Sequence, residues 1–82
     1  MELRRFIMKT YKFPVLIEKD EDGLLIAKVP DLPGCHTQAK TMPELIKRVG
    51  EAVRLCLEVK KAEREPITSY EFVGFQQIET RI

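Results

Sequence analysis

Cys35 and His36 stand side by side, and His36 is the only histidine of the 82 residues. A thiol beside an imidazole is the raw material of nucleophilic catalysis, in which the ring takes the thiol proton. The spacing works against that chemistry. "CHTQAK" (Cys35 to Lys40) has the character of a short strand, and adjacent residues of a strand point to opposite faces. A half-buried thiol and an exposed or hydrogen-bonded imidazole are therefore expected. The acidic residues Asp20, Glu21, Asp22 and Asp31 raise a second possibility, a divalent-metal nuclease. Such a centre needs carboxylates converging from separate elements onto ions about 4 Å apart. Three of these four are consecutive at a turn and diverge, and Asp31 is better explained as a turn former. The two cysteines, Cys35 and Cys56, lack CxxC spacing, and with a single histidine they make no zinc set. A disulfide between them stays open. Neither a dinucleotide fingerprint nor a Walker loop occurs. The aromatics are not spaced for stacking RNA bases on a sheet. No catalytic, metal-binding or cofactor-binding residue is expected.

Composition narrows the class. Hydrophobic residues make up 44% and charged residues 33% of the chain, a soluble globular balance that argues against disorder. Fourteen basic residues face thirteen acidic ones, interspersed, so the chain lacks the basic footprint of a strong nucleic-acid binder. The opening "MELRRFIMKTYKF" has no long apolar run for a secretory signal or a membrane span. A cytoplasmic protein with reduced thiols is expected. A single domain over 1–82 is expected, with residues 1–8 as an extension and 9–82 as the core. So small a core leaves little margin over chain entropy. With a metal unsupported, self-association into a dimer or tetramer is the expected reinforcement.

The elements that would carry these residues follow from periodicity. "YKFPVLIE" (Tyr11 to Glu18) alternates, with Tyr11, Phe13, Val15 and Ile17 on one face, and Pro14 marks where regular pairing starts. Asp22-Gly23 predicts a hairpin, and "LLIAKV" (Leu24 to Val29) returns as a second strand with apolar residues on both faces. Pro30 stops that strand, and Pro33-Gly34 suits the centre of a type II turn. Cys35 to Lys40 is the third strand. Thr41 and Glu44 have capping-box spacing, and Pro43 fits a first helical turn, so a helix is predicted from Met42 to about Glu63. Leu45, Ile46, Val49, Ala52, Val53, Cys56 and Val59 form its apolar stripe, with Leu55 and Leu57 at the margins. That arc is wider than one sheet contact needs. "YEFVGFQQIETRI" (Tyr70 to Ile82) is predicted as a fourth strand, uneven around Gly74. The whole is α+β: a three-stranded antiparallel meander, one amphipathic helix and a fourth strand (β-β-β-α-β).

Residues 9 to 60 resemble the HicB-like antitoxin family, the partners of HicA toxins. The resemblance rests on Phe13-Pro14-Val15 in the first strand and Asp22-Gly23 at the hairpin. It rests also on Pro30-Asp31-Leu32-Pro33-Gly34-Cys35 and on the helix led by Thr41. It implies a partly degraded ribonuclease H-like fold with strand order 3-2-1-4. It further implies a HicA-like, mRNA-cleaving partner whose catalytic histidine is buried by the bound antitoxin, which needs no catalytic groups itself. Asp20, Glu21, Asp22, Asp31, Leu32, Pro33 and Gly34 are the expected toxin-facing residues. Gly23, Pro30, Cys35, Thr41 and Glu44 are the structural ones. Many members carry an operator-binding segment, and none is evident up to Ile82, so direct DNA binding is not expected. Members often have glycine where this chain has Ala39, which predicts a different local loop. Two other functions compete: an orphan dimeric protein-interaction module, and a residual metal-dependent nuclease using Glu18 and Asp31.

Overall fold

The computed structural model describes residues 10–68 and 70–82. The proposed extension at residues 1–8 lies outside them. Strands β1 (Leu16–Lys19), β2 (Leu25–Lys28) and β3 (His36–Ala39) precede helix α1 (Met42–Ala62). The strands form one antiparallel sheet in the order β1-β2-β3. Leu16 pairs with Lys28 and Lys19 with Leu25; Leu25 pairs in turn with Ala39 and Lys28 with His36.

The hairpin forms where Asp22-Gly23 predicts it. Gly23 has φ +85°, and the Asp20 amide donates to the Leu24 carbonyl at 2.9 Å. Asp20 also organises the turn, because its Oδ1 accepts from the amides of Asp22 (2.9 Å) and Leu24 (2.8 Å). β1 is shorter than the alternation of residues 11–18 suggests. Pro30 turns the chain away after Val29, whose amide donates to the Cys35 carbonyl on the other side. The ladder with β2 therefore begins at Leu16, and residues 11–15 lie outside it. They keep the alternation: the Tyr11 and Phe13 rings stack, 6.0 Å apart, and Phe13 and Val15 pack against the core.

Helix α1 starts and stops as predicted. Thr41 is the N-cap, its Oγ1 accepting from the Glu44 amide at 3.4 Å. The reciprocal half of the capping box does not form, since the Glu44 carboxylate pairs with Arg48 one turn on. The buried core is Ala27, Val29, Leu32, Cys35, Ala39, Leu45 and Val49, with Leu25, Ala52, Val53, Cys56 and Leu57 packed around it. These residues place α1 over one face of the sheet. The helix lies across β3 and β2 and does not reach β1. Relative to the predicted stripe the buried face is rotated: Leu57 is inside, while Ile46, Leu55 and Val59 are exposed. Ala39 is buried in β3 without a positive φ, so the residue that replaces glycine here continues the strand.

The outer face of the sheet carries Leu16, Glu18, Ile26, Lys28, His36 and Gln38, and no element covers it among the described residues. Glu18 and Lys28 make an ion pair there at 2.9 Å.

The fourth strand predicted over 70–82 is not seen among the described residues. Residues 70–82 contain neither helix nor strand, and Gly74 therefore marks no bulge. None of them belongs to the core cluster or its margin. The radius of gyration is 16.0 Å, where a compact chain of this length has about 12 Å.

Candidate functional site

The acidic residues singled out in the sequence separate into two groups. Asp20, Glu21 and Asp22 sit at the β1–β2 hairpin. Asp31 sits in the β2–β3 connection, at the other end of β2. Five residue steps from Leu24 to Val29 put about 17 Å between the two turns. A single acidic rim is therefore not assembled on one chain. Glu21 and Asp22 are exposed, whereas the Asp20 carboxylate is engaged by two amides of its own turn.

The connection Pro30-Asp31-Leu32-Pro33-Gly34 is two consecutive tight turns. The Leu32 amide donates to the Val29 carbonyl at 3.0 Å, and the Cys35 amide donates to the Leu32 carbonyl at 2.9 Å. The second turn has Pro33 and Gly34 at its centre with Gly34 at φ +83°, which is type II geometry. Leu32 is 1% exposed and anchors the loop in the core. This residue cannot face a partner in this conformation; the exposed elements are Pro30, Pro33 and Gly34. Asp31 is half-buried, and its Oδ2 is shut away without a hydrogen-bond partner among the described residues. A carboxylate oxygen so placed is costly for the free chain.

Beside this double turn lies a shallow hollow of about 500 Å3, floored by Leu16, Lys28 and His36 and walled by Pro30, Pro33 and Gly34. Neither Leu16 nor Lys28 belongs to a motif recognisable in the sequence. Their signal was present in the register, because both fall on the strand face that α1 leaves bare.

Cys35 and His36 diverge as strand geometry requires. Cys35 is buried and His36 is exposed. Burial, and then the adjacent Cys56 thiol, push the Cys35 thiol up from its ordinary 9.0 to about 12. A thiol that resists ionisation is a poor nucleophile. Both cysteines are free, so the open disulfide is not made. Among the described residues, no three histidine, cysteine or acidic side chains gather into a group able to hold a metal ion. The surface offers shape, two exposed carboxylates at one end and a rigid proline turn at the other. These features suit the recognition of another macromolecule.

Comparison with known proteins agrees. Residues 13–78 match the family model described as the HicB-like antitoxin of bacterial toxin-antitoxin systems. The chain belongs to this family. Its relatives include a UPF0150 protein of Archaeoglobus fulgidus, 54% identical over 85% of this chain and 96% of the relative. A UPF0150 protein of Synechocystis is 42% identical over 87% of this chain and 97% of its own length. Antitoxin HicB 1 of Photorhabdus laumondii is 32% identical over 77% of this chain, which spans 41% of that longer protein. The HicB-like match takes in both turns, the whole of α1 and most of the arm at 70–82.

No helix among the described residues is long and apolar enough to cross a membrane.

Proposed function

We propose that this protein is the antitoxin of a type II toxin-antitoxin pair, which binds a HicA-like mRNA-cleaving toxin and occludes its active site. The family match over residues 13–78 supports this reading. In this proposal the protein is a single cytoplasmic domain over 1–82 that works without catalysis or cofactor. Its sheet and helix are the start of a ribonuclease H-like fold, and residues 70–82 supply the fourth strand.

The toxin-facing set follows from what is exposed. Glu21 and Asp22 at the hairpin present negative charge to a basic RNA-binding surface, which speeds encounter and sets orientation. Asp20 holds that tip in shape. At the other end Pro33 and Gly34 give a stiff contact, with Leu32 as their anchor. A cationic group of the toxin would satisfy Asp31 Oδ2. The absence of any converging set of ligands for the nuclease alternative, among the described residues, keeps that function behind this one.

The test is co-expression with a HicA-like toxin from the same genome. Growth is restored and a complex co-purifies. Reversing charge at the tip (Glu21→Lys with Asp22→Lys) weakens binding at least tenfold without changing the fold. Persistent growth arrest with no complex rejects the antitoxin function. Full affinity in the double variant rejects the hairpin's part in it.

A further inference from the structure

Two features of the chain fit each other and do not meet within one copy. The first is the arm at 70–82. Tyr70 is 65%, Phe72 62%, Phe75 76% and Ile78 80% exposed, and Val73 stands almost wholly in solvent. Soluble proteins rarely leave so contiguous an apolar run uncovered. The apolar residues occupy both faces of the run, as in a strand that is covered twice.

The second feature is the free edge of β1. An antiparallel ladder alternates bonded and non-bonded pairs. The Asp20–Leu24 bond fixes this alternation, so Glu18/Ile26 and Leu16/Lys28 bond across to β2. The N–H and C=O groups of Ile17 and Lys19 then point outward, away from β2. Among the described residues the helix-side flank of β1 is bare as well, because α1 covers only β2 and β3, and Ile17 is exposed there.

The opposite edge does not offer the same opening. On β3 the outward carbonyl of Gln38 already accepts from Arg48 Nη1 at 2.8 Å, and α1 lies directly above. Among the described residues, the β1 edge combines outward backbone groups with an uncovered apolar shelf.

We infer that residues 70–82 of one copy add to the β1 edge of a second copy, reciprocally, as the fourth strand of each other's sheet. The arm itself favours this over closure on the same chain, because none of residues 70–82 joins the core cluster and its aromatic rings stand exposed. Exchange of an identical element is a low-cost route to a two-fold dimer. The scale is adequate. Each arm brings three aromatic rings that bury about 150–250 Å2 apiece. Two arms thus remove on the order of 1,000 Å2 or more from water, which approaches the size of a stable specific interface. This inference deepens the self-association expected of the chain and is independent of any toxin.

The test uses the full chain without toxin. Light scattering gives twice the 9.5 kDa chain mass at 100 µM protein. In a refolded equal mixture of ¹³C-labelled and unlabelled protein, isotope-filtered NOEs connect the arm to β1 between copies, one of the Phe72 and Phe75 rings to Ile17 on the helix side and the other to Leu16 on the outer face. Phe75→Pro removes a ladder donor from an arm that supports nothing in its own core, so the mass halves while the helical circular dichroism persists. A monomeric wild type overturns the inference, as do arm-to-sheet NOEs found only within one copy. A Phe75→Pro protein that stays dimeric overturns it too. Failure of toxin neutralisation leaves it untouched.

Discussion

The same chemical change, glycine to alanine, is expected to have opposite effects at two positions. Gly34 occupies the third position of a type II turn at φ +83°, and a Cβ there would meet nothing within 4 Å. The cost of Gly34→Ala is therefore conformational rather than steric. Holding an L-residue in left-handed backbone costs about 1–2 kcal/mol. Gly50 is an exposed helical residue with negative φ, again with open space around the added methyl. Gly50→Ala raises helix propensity and lowers the entropy of the unfolded chain, a gain of about 0.8–1 kcal/mol. A domain of this size shifts its midpoint by about 4–8 °C per kcal/mol. The two variants should therefore melt on either side of the wild type and differ by roughly 10 °C or more. Thermal and urea unfolding followed by circular dichroism at one fixed protein concentration measures both, the fixed concentration removing mass-action effects of self-association. Gly34→Asn is the control, since asparagine tolerates left-handed backbone better than alanine does. A Gly34→Ala protein as stable as the wild type, or a destabilised Gly50→Ala protein, would refute the backbone account of these two positions.

Leu45 is fully buried between α1 and the sheet; Leu45→Ala costs about 2–5 kcal/mol, a large share of the roughly 4–12 kcal/mol expected for a domain this size. The measurement is the urea midpoint, and a change under 1 kcal/mol would show that the core lies elsewhere. Asp20→Ala removes the acceptor for two turn amides and lowers stability by about 1–2 kcal/mol, while Asp20→Asn keeps an acceptor and loses less; equal losses would deny the turn its organising carboxylate. Cys35 stays protonated in the folded state up to about pH 12, whereas its unfolded thiol ionises from its ordinary 9.0. Its contribution to stability is complete below pH 9 and falls as pH rises from there toward 12. Cys35→Ala therefore flattens the alkaline decline in midpoint, and iodoacetamide at pH 8 modifies Cys56 well before Cys35. Preferential modification of Cys35 would contradict its burial.

The parts of the fold governed by local chemistry were legible in the sequence. Asp22-Gly23, Pro33-Gly34, and Thr41 followed by Pro43 each dictate backbone geometry within a few residues, and all three appear where they were placed. β1 came out shorter because its length depends on where β2 ends, and Pro30 sets that end from fifteen residues away. The helix stripe was displaced by less than a turn. Periodicity identifies an apolar face, but α1 sits over β2 and β3 only, so Ile46, Leu55 and Val59 remain outside. The acidic residues illustrate the limit most clearly. Asp20, Glu21, Asp22 and Asp31 are near one another in sequence, yet a meander sends successive turns to opposite ends of the sheet. Leu32 looked like part of a contact loop because of its neighbours, and only tertiary packing reveals it as the residue that holds the loop down. The hollow at Leu16, Lys28 and His36 depends on cross-strand register, which no single strand announces.

The bond from Arg48 to the Gln38 carbonyl has a bearing on how large an assembly can become. A sheet that accepts new strands on both flanks has no natural end and invites fibrous growth. Here one outward carbonyl of the β3 flank is taken by a side chain of the molecule's own helix. In the proposed exchange recruitment runs through the β1 flank, and growth through a single reciprocal joint would close after two copies. The guanidinium on α1 would then help to keep the assembly finite.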